Sequence, residues 1–480
     1  MDPKNYFKSM KINNDNLSQI IQLTHQSIAD PKKLTDRVIQ FGTGVLLRGL
    51  LDFYIDHANR TGDFEGSIVL VKSTNQGDIN AFKEQNNHYT IQTEGIENGE
   101  IIQHQQIVTC ISKVLTVQHD WDQLVNIAKQ PNIEYIISNT TESGIVEVDE
   151  DLTGIPKSFP GRLTALLYAR FLHFAGNPNN GWIILPTELI DNNADKLKAI
   201  VISIATKSNL SAAFVEWIEN SNHFCNTLVD RIVPGKVETS GWEYEDELAI
   251  AVEPFNLWAI EVKNDTLKEK ITFAAANPGI RLMDSIQNIK ELKLRLLNAT
   301  HTLLCPIAII ARHALVRESL NDPSIENWTR NLMRTEINRY LLTKGILEIT
   351  INEFASVLID RFKNPFIGHQ WQAIFQNSTQ KWIQRVIPIL HTWNTLHTTS
   401  SATIALSMAC YLKCHHLFNE TELALDSQIQ KALSQGSSPS DILGQKNIWT
   451  VDLSLNSSFV ELVTKYMQDL DTKSIFQLIH

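Results

Sequence analysis

Arg37-Val-Ile-Gln-Phe41-Gly42-Thr43-Gly44-Val-Leu-Leu-Arg48 is the stretch that decides the fold. A compact apolar strand enters a glycine turn. Helix-like spacing follows over residues 48–60, and then a second strand, Ser67-Ile-Val-Leu-Val71. Strand, turn, helix and strand in that order make a βαβ unit, in which a crossover helix joins two parallel strands. Gly42 permits the tight exit from the strand. Gly44 lets a pyrophosphate approach the backbone, where the free N–H groups of a helix N-terminus face it. Leu47 stands where a third glycine would complete Gly-x-Gly-x-x-Gly, so the motif gains its weight from its place between strand and helix. At the end of the second strand a carboxylate would normally hold an adenosine ribose. The chain instead reads Val71-Lys72-Ser73-Thr74, with Asp78 the nearest acid, and a cation there would tolerate a 2′-phosphate, which leaves NADP open beside NAD.

Outward from this unit, residues 1–30 are polar, with a helical stretch at 17–27 closed by Pro31. Residues 88–118 read differently, with 88–93 and 100–108 as antiparallel strands about a turn at Gly95–Gly99. Parallel strands return at 133–138 and 181–186 around a helix at 163–174. After Pro278 strand signals fade, and helical spacing fills 284–319, 326–341, 351–361, 369–396 and 402–416. The Gly/Ser/Pro-rich residues 433–442 read as a loop. An α/β first half and a helical second half is the expected architecture.

Composition narrows the partners. Apolar residues are 43% and charged residues 20% of the 480, which excludes a disordered chain. Forty-two Lys+Arg against 53 Asp+Glu leave −11, a balance that disfavours nucleic acid and anionic membrane. No apolar run approaches the ~18–20 residues of a membrane span, and the polar first residues do not resemble a secretory signal. Five thinly spread cysteines fit reduced thiols in a cytoplasm. Cys410-x3-Cys414-His415-His416 lacks the second ligand pair that structural zinc requires, so no metal is expected. Ser143 lacks the glycine two residues before it that a nucleophile elbow needs.

The chemistry concentrates in Lys293-Leu-Arg-Leu-Leu-Asn298-Ala-Thr-His301. At about 100° per residue, with Lys293 at zero, His301 falls near 80° and Asn298 near 140°. Three polar groups thus fan over one side of a helix whose many leucines suggest burial all round. A buried lysine is costly unless paired or functional, and burial would lower its pKa toward that of a general base. The alternative is a snorkelling lysine beside a satisfied core histidine. Asp230-Arg231, between apolar flanks in Thr227-Leu-Val-Asp-Arg-Ile-Val-Pro234, reads as a structural ion pair or part of a polar pocket.

Together Gly42-x-Gly44-x3-Arg48, Ser138-Asn-Thr-Thr-Glu142, Val229-Asp-Arg-Ile-x-Pro234 and Lys293-x4-Asn298-x2-His301 resemble the mannitol dehydrogenase family of polyol-specific long-chain dehydrogenases, over residues 37–400. Three further stretches, at 159–168, 297–302 and 361–369, are most similar to its tagaturonate reductase (altronate oxidoreductase) branch. The resemblance implies a Rossmann-type dinucleotide-binding domain with extra antiparallel strands over 31–277, behind a helical extension 1–30. A helical substrate-binding and catalytic domain would cover 278–480. It implies reversible hydride transfer between NAD and a hexuronate-derived ketone in hexuronate catabolism, without metal, by a cytoplasmic monomer or homodimer whose partner is a small hexuronate or aldonate. Lys293 would be the general acid/base, reaching into an interdomain cleft. Asn298 would hydrogen-bond the reacting oxygen, and His301 would orient substrate. Phe41, Gly42, Thr43, Gly44 and Arg48 would lie at the cofactor phosphates, with Asn139 and Thr140 beside the nicotinamide.

The family's upstream oxyanion asparagine aligns on either Leu189 or Asn192, and Asn192 is retained. Asp230, Arg231, Arg361 and Lys381 would bind substrate; its carboxylate needs a cation, for which Arg361, Lys381 and Arg385 have suitable charge. Fructuronate reductase, a polyol dehydrogenase and a non-catalytic NAD-binding sensor stay open beside this reading.

Overall fold

The apolar runs become one parallel sheet in the computed structural model, which describes residues 10–24, 27–74, 79–140, 144–415, 417 and 424–479. The first eight strands are Thr35–Phe41 (β1), Gly66–Lys72 (β2), Tyr89–Glu97 (β3), Glu100–Val108 (β4), Ile111–Thr116 (β5), Tyr135–Ser138 (β6), Ile183–Pro186 (β7) and His223–Phe224 (β8). Six of them pair in the order β5-β2-β1-β6-β7-β8, all parallel. Every residue of β2, β6 and β7 is buried, as a sheet covered on both faces requires. Numbered within the sheet, this is the 3-2-1-4-5-6 order of a Rossmann fold, and its direction reverses between β1 and β6.

Leu17–Thr24 (α1) precedes the sheet, and Val45–Thr61 (α2), Val117–Ala128 (α3), Phe159–His173 (α4), Asn193–Lys207 (α5) and Ala212–Ser221 (α6) accompany it. Leu50, Leu51 and Tyr54 of α2 pack with Ile68, Leu70 and Ile137 on one face. On the other, Leu124 of α3, Leu163 of α4 and Leu197 of α5 pack with Val69, Val71 and Ile136. The α1 stretch is no separate extension, because Leu17 and Ile20 share a cluster with Met10, Ile12, Ile107 and Tyr244.

One expectation needs correction. Residues 111–116 are not part of an antiparallel excursion: β5 pairs with β2 at the parallel sheet's edge. Only β3 and β4 leave that sheet, joined through Asn98 (φ 53°) and Gly99 (φ 80°), two left-handed residues that suit a type I′ hairpin turn. The expected extra strands are present, antiparallel in part and mixed in direction overall. Thr227–Asp230 (β9), Gly235–Lys236 (β10), Ile250–Val252 (β11), Leu257–Glu261 (β12) and Ile280–Met283 (β13) complete two further sheets. In these, β11 runs parallel to β3 and β13 parallel to β12, whereas β10 and β9 run antiparallel to their neighbours. The pairing of β13 carries the first unit on to Ile286.

The second unit comprises residues 95–101 and 287–480. Its helices include Gln287–Leu292 (α7), Thr300–Ile310 (α8), Pro323–Leu332 (α9), Asn338–Thr343 (α10), Glu348–Lys363 (α11), Ser378–Lys381 (α12), Ile387–Leu396 (α13) and Ala402–Cys414 (α14). Three π-helical segments join successive pairs: Lys293–Ala299 (π1), Met333–Ile337 (π2) and Trp382–Val386 (π3). Within the expected 433–442 loop, Pro439–Leu443 is helical, because Ser438 and Asp441 form a capping box with proline in the first turn. No helix among the described residues is long and apolar enough to cross a membrane.

Beneath α2 lies Asp52, fully buried, accepting a 3.0 Å hydrogen bond from the Tyr89 hydroxyl. Burial pushes its carboxyl up to about 7, against the opposing pull of Tyr89 and Arg48. The folded state therefore holds this proton over a pH range where the unfolded chain has lost it. Stability falls as pH rises from about 4 to about 7 and then levels, with a slope of at most about 1.4 kcal/mol per pH unit. Asp52→Asn, which needs no proton to stay neutral, is expected to flatten the slope of Tm against pH in that window. An unchanged slope would mean that other groups set it.

Candidate active site

In the first unit the glycine turn lies where the sheet changes direction. Gly42 has φ 128°, and a Cβ there would stand 3.0 Å from the Asn139 carbonyl oxygen and 2.9 Å from the Leu47 side chain. The Asn139 N–H donates to the Phe41 carbonyl, 3.0 Å, so the ends of β1 and β6 meet at this turn. Gly44 is exposed, caps α2 without a side-chain hydrogen bond, and would meet nothing within 4 Å if given a Cβ. An uncapped helix N-terminus with open space above it, at the switch point of a doubly wound sheet, fits a dinucleotide pyrophosphate. Thr43 is half-buried between the two glycines. Gly49, not residue 47, gives α2 its close packing, since a Cβ there would press on Val252 and Val233 at 2.9 and 3.0 Å.

A side chain at position 42 is strained twice, by φ and by contact. Gly42→Ala should weaken NADH binding by roughly 5- to 150-fold, from a strain of order 1–3 kcal/mol. A fluorescence titration returning wild-type affinity would contradict this account of the turn.

Beside the turn, at the ends of β6 and β7, is a carboxylate that sequence reading missed. Buried Glu188 accepts from the Thr140 N–H and hydroxyl at 2.9 Å each, and from the Ser138 hydroxyl at 3.1 Å. Burial outweighs these donors and raises its pKa. Asn139 donates to the Thr187 carbonyl, 3.1 Å, and hydroxyl, 3.0 Å. An acid two residues beyond the apolar strand 182–186 was the available signal for Glu188. Asp78, Glu142, Ser143 and His416 lie outside the described residues.

Several expected site residues turn inward instead. The Phe41 ring is core, 5.1 Å from Phe159, so this residue offers only backbone to a cofactor. Arg48 is 8% exposed. It donates to the Leu248 carbonyl at 2.6 Å and lies over Phe82 and Tyr89, so it is committed to the core rather than held out to a phosphate. Arg231 donates to the Gly49 and Glu253 carbonyls, 2.7 and 3.0 Å, pinning α2 to the loop after β11. Its neighbour Asp230 is buried in β9 opposite Leu257. Asn192 is exposed at the α5 N-cap in the left-handed region, φ 53°. Asn193 is the buried one, donating to the Pro186, Glu188 and Thr227 carbonyls, while Leu189 is 62% exposed. The alignment on the second asparagine, which places Leu189 at the family's oxyanion position, agrees better with this geometry.

In the second unit, winding decides the geometry of the Lys-Asn-His motif. Lys293–Ala299 is π-helical, so its hydrogen bonds close on the fifth residue, the spacing of Lys293 and Asn298. At roughly 4.4 residues per turn through that segment, Asn298 lies about 50° to one side of Lys293 and His301 about 30° to the other. The sector narrows from the ~140° of an uninterrupted α-helix to about 80°. The helix is also not apolar all round: Leu292, Leu296 and Leu297 are buried, while Lys293 and Asn298 are half-buried. The expectation of a fully buried lysine is corrected accordingly.

His301 is buried, its ring 4.4 Å from Phe362 and 5.4 Å from His369 between centroids. Burial first, then nearby His369, Arg361, Arg385 and Lys381, hold its pKa well below the usual histidine range, so the ring is neutral. Its Nε2 has no partner among the described residues, an opening that a ligand hydroxyl would fill. Arg361 is buried in the last turn of α11. Lys381, the last residue of α12, donates to the Ile374 carbonyl at 2.7 Å, and Arg385 lies in π3. The charges of Arg361, Lys381 and Arg385 all act on the histidine that shares a helix with Lys293.

Sheet order and glycine turn define a protein with a Rossmann-type dinucleotide-binding fold, and comparison with known proteins gives its kin. Residues 36–272 match the Mannitol dehydrogenase Rossmann domain, and residues 285–471 the Mannitol dehydrogenase C-terminal domain. The altronate oxidoreductase of Bacillus subtilis (strain 168) is 31% identical over 456 residues, covering 91% of this chain and 92% of that one. That of Pectobacterium atrosepticum is 35% identical over 386 residues, 78% of each. Among solved structures, the ternary complex of Pseudomonas fluorescens mannitol 2-dehydrogenase with NAD and D-mannitol superposes with TM-score 0.67 at 19% identity, covering 98% of this chain and 99% of that one. Substrate-free D-sorbitol dehydrogenase superposes with TM-score 0.77 at 17% identity, covering 98% and 100%. The chain is an oxidoreductase acting on CH–OH donors, with a small-molecule substrate. It belongs to the mannitol dehydrogenase family.

Proposed function

We propose that the chain interconverts D-altronate and D-tagaturonate with NAD, as a tagaturonate reductase of hexuronate catabolism, using Lys293 as general acid/base and no metal. The observation that carries the substrate class is the positive field of Arg361, Lys381 and Arg385 at neutral His301, with Arg385 3.3 Å from the hydroxyl of its neighbour Thr302. A neutral polyol has no use for such a field, whereas a sugar acid must bury its carboxylate against a cation. An arginine fork suits carboxylate geometry, which favours Arg361 as the anchor. The names of the relatives agree with this class.

NAD, when bound, supplies or accepts the hydride. In the reducing direction the ammonium of Lys293 gives its proton to the ketone oxygen as the carbon receives hydride. In the oxidising direction the neutral amine takes the proton from the alcohol. Asn298, brought beside Lys293 by the π-turn, donates to the reacting oxygen where negative charge develops. With Leu189 in place of an upstream amide, this hydrogen bond falls to Asn298. His301 Nε2 takes a substrate hydroxyl. For the cofactor, Lys72 at the end of β2 is 8% exposed and donates to the Thr74 carbonyl at 2.6 Å. A lysine so committed is poorly placed to greet a 2′-phosphate, which supports NAD over NADP.

The test is NADH consumption with tagaturonate, fructuronate and fructose in parallel, with and without a chelator. Turnover is expected with tagaturonate and unchanged by chelation. Faster turnover of another ketone would move the chain to a sister activity. Loss on chelation would overturn the metal-free mechanism, and NADH binding without turnover would favour a sensor.

A further inference from the structure

Three π-helical segments in one helical unit are unusual, since such turns are rare and concentrate at functional sites. Here they touch: π1 packs against both π2 and π3. At their meeting point is Arg295, the third residue of π1, which is 5% exposed. Its Nη1 donates to the Gln384 and Arg385 carbonyls of π3 at 2.8 and 2.9 Å, and its Nη2 to the Tyr340 hydroxyl in α10, just beyond π2, at 3.2 Å. Its Nε reaches Glu291 one turn back at 3.1 Å, and the guanidinium lies over the Tyr340 ring at 4.8 Å. The exchange is returned: Arg385 of π3 donates to the Asn298 carbonyl of π1, 3.5 Å, and to the Thr302 hydroxyl, 3.3 Å. A helix leaving its i→i+4 ladder turns carbonyls away from their usual donors, and here each segment borrows the other's arginine.

We infer that Arg295 is a positioning residue: with Arg385 it forms a reciprocal lock that holds π1 in π-register and so keeps Lys293 and Asn298 on one face. This rests on the proposed roles of those two residues. If π1 relaxed to an α-helix, Asn298 would swing by roughly 90° away from Lys293. A planar fork serves two carbonyls and a hydroxyl together, which a lysine point charge cannot.

The test compares the full-length protein with Arg295→Lys and Tyr340→Phe. Arg295→Lys is expected to lose 10- to 100-fold in kcat, with KM and NADH affinity within about three-fold. Tyr340→Phe, which keeps the ring and removes one acceptor, should lose a smaller part of kcat in the same pattern. In a Lys293→Ala/Asn298→Ala background, Arg295→Lys should change the residual rate less than two-fold, because both interactions it acts through are gone. Hydrogen–deuterium exchange gives a readout that needs no turnover: amides of 293–299 and 382–386 should exchange faster together in Arg295→Lys, while 402–414 keep their protection. Wild-type kcat in Arg295→Lys, or a kcat loss without faster exchange at 293–299, would overturn the lock. If Arg295→Lys does not fold, Tyr340→Phe decides: unchanged kcat and exchange would overturn it. A wild-type protein that reduces no ketone would sink the functional reading, while exchange would still decide the lock.

Discussion

Lys293→Ala is expected to lose about 10²–10⁴-fold in kcat, the range a positioned general acid/base contributes, while NADH binds as before. Two features of the structure make this sharp. Lys293 is half-buried, so its removal opens no core cavity and folding should survive. It also shares a narrow sector of the helix with Asn298, whose proposed hydrogen bond to the reacting oxygen is untouched by the substitution. The mutant should therefore keep substrate affinity and lose rate, the signature of an interaction made in the transition state. An added primary amine of suitable pKa should restore part of the rate. Turnover within a few-fold of wild type would remove the lysine from the mechanism.

Arg361→Met is the second large effect. If Arg361 anchors the substrate carboxylate, truncation leaves a buried anion without its partner, at about 2–5 kcal/mol, or roughly 30- to 3000-fold in kcat/KM for tagaturonate. The same variant should change the slow reduction of neutral fructose by only a few-fold. The ratio of the two substrates is thus the measurement. Equal losses on both would mean that Arg361 supports the fold of the last α11 turn and not the anion. Loss confined to Lys381→Met would transfer the anchor to that residue, which already spends one N–H on the Ile374 carbonyl.

How far the site was legible varies by residue, for physical reasons. Gly42 and Gly44 were readable because backbone sterics act locally: a positive φ and an open N-cap leave a mark in the residue type itself. Arg48 and Arg231 were not. Their motif positions are right, but an arginine beside a glycine turn carries no sign of whether it points to a ligand or into the core. Only the Leu248 and Gly49 carbonyls settle it. Glu188 was missed because one acid after a strand is ordinary until Ser138, at the end of neighbouring β6, and Thr140 just beyond it are seen to donate to it. Residues 111–116 were set apart from the parallel sheet for the same reason, since pairing partners are distant in the chain.

The sequence by itself determined the βαβ entry, the divide between an α/β first half and a helical second half, and the family, through motifs whose order and spacing survive in one dimension. These follow from local terms: apolar periodicity, glycine conformations and helix breakers. Tertiary structure alone decided which polar side chains face a ligand and how the lysine helix is wound. An α-helix and a π-helix differ by about one residue per turn, and nothing in Lys293-x4-Asn298 chooses between them. The choice is made where Arg295 and Arg385, ninety residues apart, each donate to a displaced carbonyl on the other's segment, those of Arg385 and Asn298.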